Sequence, residues 1–377
     1  MKILFIVQGL GNGGAERLCI DIANEIIKSY SEYEVLIVSL NNTNHYKKIT
    51  KKIQIKKIET DFKLSIFQKN IIKIDAYEEI VNEFKPDIIH SHLYKSELVS
   101  RENIRKNIKY ITHVHSDFDV FNKLNFNSIF KKLFYANLFE KTRIFFRYKK
   151  ANNHFITISN SVNSKLKSQL PKKLKHNVTL MRNAINLDHF ASKEISEKQK
   201  TNTLNLISVG GLRRIKNHEY QLFVLRNIIN KGINCKLYLI GGGAEYDNLQ
   251  YLINKLHLKD FVTITGFIEE VKEYLDRSQI YIHTAFKEGL SLTTIEAMAC
   301  GLPIVCLDAE GNRDLIKNNE NGFILKKDTN PEHFAEVVLK IHGDPKLRKK
   351  LSRNSIKFSE NFDIKNYTKE LLKLYNM

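Results

Sequence analysis

Short apolar runs recur along the chain, each followed by a polar or glycine-bearing turn and then by a longer stretch with helical spacing. Lys2–Val7 is the first. It runs into a glycine-rich turn, Gly9 to Gly14, and then into a stretch from Ala15 to about Lys28 on which Leu18, Ile22, Ile26 and Ile27 share one face. Val35–Leu40, Asp87–His90, Tyr110–His113 and Phe155–Ile158 are further strand candidates, with helical segments between most of them. This alternation predicts a parallel sheet covered by helices on both faces. The pattern weakens across Asn183–Thr203, a polar stretch read as a linker, and then restarts. Leu204–Val209, Lys236–Ile240, Phe261–Thr265, Ile280–Thr284 and Pro303–Leu307 repeat the strand–helix rhythm. The expectation is α/β, with two doubly wound domains at 1–195 and 196–359 and functional loops that follow the carboxyl ends of the strands.

Composition narrows the setting. Cys19, Cys235, Cys300 and Cys306 form no C-x-x-C pair and no disulfide ladder, so they read as small core residues of a protein in a reducing compartment. No run approaches the length of a membrane span, and the apolar start is too short for a secretion signal, which points to the cytoplasm. The formal net charge is +19. Residues 1–195 carry 33 Lys and Arg against 19 Asp and Glu, so most of the excess lies in the first half. Such a field favours an anionic partner: nucleic acid, a phosphorylated substrate or a membrane surface. Drift in a chain rich in Lys, Asn and Ile is the alternative origin. Residues 121–150 combine nine aromatics with eight Lys and Arg and a single acid, Glu140. Two readings stay open there: a helix lying on an anionic bilayer at the inner face of the membrane, or two ordinary helices with aromatics packed beneath their lysines.

The most specific signal is Phe286-Lys-Glu288-Gly289-Leu290-Ser291-Leu-Thr-Thr-Ile-Glu296-Ala-Met-Ala-Cys300-Gly301-Leu-Pro303. A strand feeds a loop bearing Glu288 and Gly289, and a helix begins near Ser291, stopping at Gly301 with Pro303 beyond. The amides of Gly289, Leu290 and Ser291 then sit at a helix N-terminus, where unpaired N–H groups and the helix dipole favour phosphate. Glu288 precedes that helix and Glu296 lies within it, so the two carboxylates suit the hydroxyls of two different sugars. Lys216, with Arg213 or Arg214 beside it, follows strand Leu204–Val209 and is placed to meet a phosphate. Gly13 and Gly14 remove the Cβ from the first loop and let it approach a ligand. His115 stands just beyond strand Tyr110–His113, whereas His113 reads as a core residue. No His/Cys cluster is read as having metal-ligand spacing, so no metal site and no cofactor is expected.

The segment Glu288–Glu296 resembles the E-x7-E signature of retaining glycosyltransferases of family GT4, which have the GT-B fold. Other motifs follow in the family's order: Gly11-Asn-Gly13-Gly14-Ala15-Glu16-Arg17 resembles its first glycine loop, and Thr112-His113-Val114-His115-Ser116 its histidine loop. Ile156-Thr-Ile-Ser159 resembles its strand end, Arg182-Asn183-Ala184 with Asn186 and Asp188 its pre-linker segment, and Val209-Gly210-Gly211-Leu-Arg213-Arg214-Ile-Lys216-Asn217 its phosphate loop. Gly311-Asn-Arg313-Asp314 is similar to the segment after its last major strand. Two positions depart from the pattern: Gly211 stands where the family has Arg, and Ala184 where it has Gly.

The resemblance implies two Rossmann-like domains facing a central cleft, with residues 360–377 crossing back to the first. It implies a nucleotide-sugar donor, UDP-linked ahead of GDP-linked, and a saccharide or lipid-linked saccharide acceptor in lipopolysaccharide, O-antigen or capsule assembly. It further implies that Lys216 grips the diphosphate, Glu288 the transferred sugar, Glu296 the ribose, and His115 the reacting face, with retention of configuration. Preorganised cationic charge at the leaving diphosphate would replace a metal ion. Two rivals remain: another GT-B activity such as a nucleotide-sugar epimerase, and a basic nucleic-acid-binding protein. The latter lacks stacking platforms and a helix-turn-helix, so no nucleic acid partner is expected.

Overall fold

A computed structural model describes residues 1–60, 62–63, 71–72, 74–116, 142–191 and 203–377. The chain divides into two compact units, Met1–Arg182 with Lys365–Met377, and Asn183–Ile364. The stretch read as a linker therefore begins inside the second unit. There Ile185 exchanges backbone hydrogen bonds with Phe362 and Ile364, both 2.9 Å, and residues 192–202 lie outside the described residues.

In the first unit β1 (Lys2–Val7), α1 (Gly14–Ser29), β2 (Glu34–Ser39), β3 (Gln54–Lys57), a small pair β4 (Phe62–Lys63) and β5 (Ile71–Ile72), and α2 (Asp75–Phe84) come first. Then follow β6 (Ile88–His92), α3 (Tyr94–Ser100), β7 (Lys109–Val114), a helix α4 over residues 142–150, β8 (His154–Thr157), α5 (Asn160–Gln169) and β9 (Val178–Leu180). Seven strands form a parallel sheet in the order β3-β2-β1-β6-β7-β8-β9. Leu4, Ile6, Leu36, Val38 and Ile89 pack on one face against Tyr77, Ile80 and Val81 of α2.

The second unit holds α6 (Leu187–Phe190), β10 (Leu204–Val209), α7 (His218–Asn230), β11 (Cys235–Ile240), α8 (Tyr246–Lys255), β12 (Val262–Ile264) and α9 (Lys272–Arg277). It continues with β13 (Ile280–His283), α10 (Leu292–Ala299), β14 (Ile304–Leu307), β15 (Gly322–Leu325), α11 (Pro331–Gly343) and α12 (Pro345–Ser359). Its six parallel strands run β12-β11-β10-β13-β14-β15. The last helix, α13 (Ile364–Asn376), belongs almost entirely to the first unit, where Lys109 Nζ donates to the Leu374 carbonyl at 2.7 Å. Both sheets are the Rossmann type, as the alternation predicts, and in both the order reverses beside the first strand: between β1 and β6, and between β10 and β13.

Helix α10 ends as its sequence suggests. Gly301 adopts φ 74°, the Gly301 N–H bonds the Met298 carbonyl at 2.9 Å, and Leu302 N–H bonds that of Ala297 at 3.0 Å, a Schellman closure. All four cysteines are free and buried. Among the described residues no helix is long and apolar enough to cross a membrane. Of the basic aromatic segment, residues 121–141 lie outside the described residues. In α4, Ile144 and Tyr148 are buried, Arg143 and Arg147 reach Glu102, and Phe146 is 69% exposed.

The ends of β6 and β7 are tied by a fully buried cluster. Arg101 donates to Ser91 Oγ (2.6 Å), the Ile111 carbonyl (3.0 Å), Thr112 Oγ1 (3.1 Å) and Asn153 Oδ1 (2.8 Å), and lies 3.4 Å from the Glu97 carboxylate. Burial pushes the Glu97 carboxyl up, against the pull of Arg101 and of the hydroxyls that donate to it. Removing one partner of such a pair leaves an uncompensated buried charge. Arg101→Met is therefore expected to lower unfolding stability by about 3–5 kcal/mol in urea titrations; a loss below about 1 kcal/mol would show that the cluster does not hold these strand ends.

Candidate active site

In the second unit the chemistry collects at the switch point between β10 and β13. Beyond β10 the chain turns through Gly210 and Gly211, buries Leu212, exposes Arg213, Arg214 and Ile215, and makes a short 3-10 turn ending at Lys216. Asn217 then takes a left-handed conformation (φ 55°) and starts α7. Beyond β13, Thr284 Oγ1 donates to the Asn217 carbonyl at 2.9 Å, and Phe286 N–H to that of Ile215, also at 2.9 Å. Gln221 of α7 donates to Thr284 Oγ1 (2.8 Å) and Ser208 Oγ (3.1 Å). The two loops are laced together, and this brings Lys216 and Glu288 into contact: Nζ lies 2.5 Å from Oε2.

That pair is largely enclosed, with 17% and 14% of the side chains exposed. His283, the last residue of β13, places Nε2 3.3 Å from the same Glu288 oxygen, without the alignment of a hydrogen bond. Burial alone would raise the Glu288 carboxyl; the Lys216 charge and His283 overturn that and hold it far below the usual carboxylate range. Glu288 is thus ionised at neutral pH and acts as an acceptor only. A depressed value also means that its pairing stabilises the fold above the unfolded value of about 4.3 and that this contribution fades as pH falls below it. His218, next to the same turn, is buried and pushed down to about 3 by desolvation first, then by the charge of Lys216 and by His283. It is neutral.

The helix that follows is placed as expected, over Leu292–Ala299, with Ser291 as its N-cap accepting from Thr294 N–H at 3.2 Å. Among the described residues no hydrogen bond takes up the N–H groups of Gly289, Leu290 or Ser291. Three unpaired donors therefore sit beside the Lys216–Glu288 pair at a helix N-terminus. Asn183 Nδ2 donates to the Leu290 carbonyl at 2.9 Å and steadies the loop. Glu296 lies in the body of α10, 5% exposed, near Tyr281. Arg213 and Arg214 are exposed and make no ion pair among the described residues; Nε of Arg213 lies 3.6 Å from where a Cβ on Gly211 would sit.

Several supporting residues escape sequence reasoning. His283 and Thr284 close an apolar strand, where a polar residue at the carboxyl end is the available signal. The Gly241–Gly243 run after β11 threads against the phosphate loop: Leu212 N–H bonds the Gly242 carbonyl at 2.9 Å, and a Cβ on Gly241 would lie 2.1 Å from the Gly210 carbonyl. Gly311 N–H bonds the Glu288 carbonyl at 3.2 Å, and Glu310 beside it is held at φ 52°, a costly conformation for a residue with a side chain.

The first unit presents its own set. Gly13 caps α1 without a side-chain bond, and the space a Cβ would fill is taken by the Glu16 carboxylate, 2.1 Å from that point; Gly14 is the first helical residue. His115 follows β7 and is partly enclosed, with Nε2 2.9 Å from Nδ1 of His92 at the end of β6. Four imidazoles, His90, His92, His113 and His115, form a compact cluster, with neighbouring ring centres 4.3–5.3 Å apart. Burial holds all four neutral, His115 at about 3. The ring nitrogens of His90, His92 and His113 lie within 4.8 Å of one another, a proximity the sequence reading did not anticipate. Their planes are tilted by 19–39° to one another.

Two sheets with reversed strand order, with a lysine, a carboxylate and open amides at one reversal, have the architecture of a GT-B glycosyltransferase. Residues 12–189 match the family described as Glycosyltransferase Family 4 and residues 190–358 that described as Glycosyl transferases group 1. The chain belongs to this glycosyltransferase family, as its motifs imply. An uncharacterized glycosyltransferase of Haemophilus influenzae is 27% identical, with 98% of each chain covered. The Campylobacter jejuni N-acetylgalactosamine-N,N'-diacetylbacillosaminyl-diphospho-undecaprenol 4-alpha-N-acetylgalactosaminyltransferase is 24% identical over 99% of this chain and 98% of its own. Anabaena HepE, solved with UDP-glucose, has a TM-score of 0.79 at 18% identity, covering 100% of this chain and 99% of its own.

A Cβ on Gly311 would sit 2.1 Å from the Gly289 carbonyl oxygen, so any side chain there must push the Glu288–Gly289 loop away. Gly311→Ala is expected to weaken UDP binding about tenfold or more, or about 1.4 kcal/mol, by calorimetry, with the far-UV spectrum unchanged. Unaltered binding would show that this loop does not form the nucleotide site.

Proposed function

We propose that this protein transfers a hexose or N-acetylhexosamine from a nucleotide diphosphate sugar, UDP-linked ahead of GDP-linked, to a saccharide or lipid-linked saccharide acceptor in bacterial surface-polysaccharide assembly. Transfer proceeds with retention and without a metal ion. The carrying observation is the Lys216–Glu288 contact beside the unpaired amides that open α10. The undecaprenol-linked substrate named for the Campylobacter relative and the UDP-glucose in HepE support the acceptor and donor classes.

Breaking the anomeric bond puts negative charge on the leaving diphosphate while the sugar turns cation-like. Lys216 and the amides of Gly289, Leu290 and Ser291 supply fixed positive charge there. Arg213 replaces the arginine that the family carries at Gly211, because its guanidinium already lies over that position. The ionised Glu288 accepts hydrogen bonds from hydroxyls of the transferred sugar, Glu296 from the ribose, and His115 meets the reacting face; the Gly13–Gly14 loop serves the acceptor side. Since Glu288 is a very weak base, the acceptor proton passes to a phosphate oxygen. The membrane contact through 121–150 retains one described feature in its favour, the exposed Phe146 beside Lys149 and Lys150.

Incubation with labelled UDP- and GDP-sugars and a polyprenyl-linked acceptor tests the reading. Lys216→Ala should lower turnover about a hundredfold or more, chelator should leave the rate unchanged, and the product should keep the donor's anomeric configuration; transfer at the wild-type rate by Lys216→Ala would remove the lysine from the mechanism. The full chain should co-float with anionic liposomes at low salt but not with neutral ones. Absence from the lipid fraction at low salt would end the membrane proposal.

A further inference from the structure

His92 is the last residue of β6, fully buried, and its two nitrogens have different fates. Nδ1 is 2.9 Å from Nε2 of His115, whereas Nε2 is enclosed with no hydrogen-bond partner among the described residues. His115 is the more open of the two rings, and its Nδ1 meets no hydrogen-bonding atom among the described residues. The next residue, Leu93, is held at φ 69° and ψ 154°, a region that a branched side chain avoids and that persists only where surrounding structure imposes it.

We infer that His92 is a positioning residue that donates its Nδ1–H to Nε2 of His115, locking His115 in the Nδ1–H tautomer so that it offers the ligand a hydrogen-bond donor and not a base. In a neutral pair one ring must give the proton. If His115 gave it, His92 would have to carry its own proton on Nε2, a buried N–H without an acceptor. If His92 gives it, Nε2 is left as a bare lone pair, and an unmet acceptor costs less than an orphaned donor. Neither ring escapes by taking a second proton, because each lies against neutral imidazoles in a desolvated cluster. Nε2 of His115 is then occupied as an acceptor, and Nδ1–H is the one group left to face a substrate oxygen. The assignment rests on the proposed role of His115 at the transferred sugar, but the tautomer itself does not depend on activity.

The test is two-bond proton–nitrogen correlation spectroscopy on the full chain labelled with nitrogen-15 histidine, the His115 signals being identified by their loss in His115→Gln. The expected spectrum shows a protonated Nδ1 and an unprotonated Nε2 at His115, the favoured tautomer exceeding the other about tenfold or more. A protonated Nε2 overturns the inference. His92→Asn, which keeps an amide nitrogen near the position of Nδ1, should preserve the wild-type pattern. His92→Phe keeps an aromatic ring in the stack but removes the donor, and should release His115 to a mixture; a wild-type pattern in that variant would also overturn the inference. In the transfer assay, His92→Phe should lower kcat about tenfold or more with little change in donor KM, and His92→Asn should restore most of it. The expected tautomer without transfer from any nucleotide sugar would sink the proposed function and leave the wiring intact, and transfer with the opposite tautomer would do the reverse.

Discussion

In a parallel sheet whose strand order reverses, the loops leaving the two central strands run to opposite faces, and a crevice opens between them. That constraint governs both units here. In the second it sets β10 beside β13, with Leu206 opposite Ile280 and Ile207 opposite Tyr281. Their loops then emerge at the same height, and Lys216 and Glu288, 72 residues apart, meet. In the first it sets β1 beside β6, so that the Gly13–Gly14 turn and His92 leave neighbouring strand ends. Neither cluster needs a dedicated scaffold, because each is what a reversed sheet leaves at its carboxyl edge.

Two of the enclosed ion pairs among the described residues, one in each unit, behave differently. Arg101 and Glu97 are both fully buried, and every direction around them is filled by a hydroxyl, an amide or a carbonyl. Such a pair is finished; it joins β6, β7 and the start of β8. Lys216 and Glu288 are partly open, backed by an imidazole on one side and by unpaired amides on the other. Enclosing charge costs more than a single contact of this kind returns. Under the proposed function that cost has a use, because a diphosphate takes over the lysine and a sugar the carboxylate, each replacing a partner the protein holds in the meantime.

Much of this was legible in the chain. β1 and β10 occupy the spans read from their apolar runs, and α10, its Ser291 cap and its Gly301 stop were visible as a strand–loop–helix signature. β3, β9 and β15 were not, for a physical reason: β3 and β15 are edge strands and β9 has three residues. An edge strand needs one neighbour only, so Gln54, Lys56 and Lys57 can occupy β3 without breaking an apolar rule. The support around Glu288 was hidden for another reason. That Gly311 must be glycine follows from a carbonyl of Gly289 pressing on it, a contact between segments that only the folded sheet brings together. His283 closes an apolar run and reads like any strand-end residue until the loop after β10 delivers a lysine beside it. The alternation His90-x-His92 and His113-x-His115 is a signal of clustered imidazoles that the sequence reading passed over, and the choice of bonding nitrogen is a matter of ångströms that no sequence pattern carries.

Neutral histidines are the feature common to both clusters. His218 flanks the lysine turn, and four more line the end of the first sheet, all kept uncharged by desolvation. Under the proposed function, an imidazolium beside the lysine turn would add positive charge in competition with Lys216 for the phosphates, and its strength would swing with pH around neutrality. Burial removes that variable. The positive charge at the second unit's site is then carried by lysine and arginine side chains, which stay charged throughout the physiological range, while the imidazoles contribute direction only. A chain with a net charge of +19 has cationic attraction in excess. What the sheet ends add is confinement of that attraction to one oriented point, with neutral dipoles around it to discriminate one oxygen from the next.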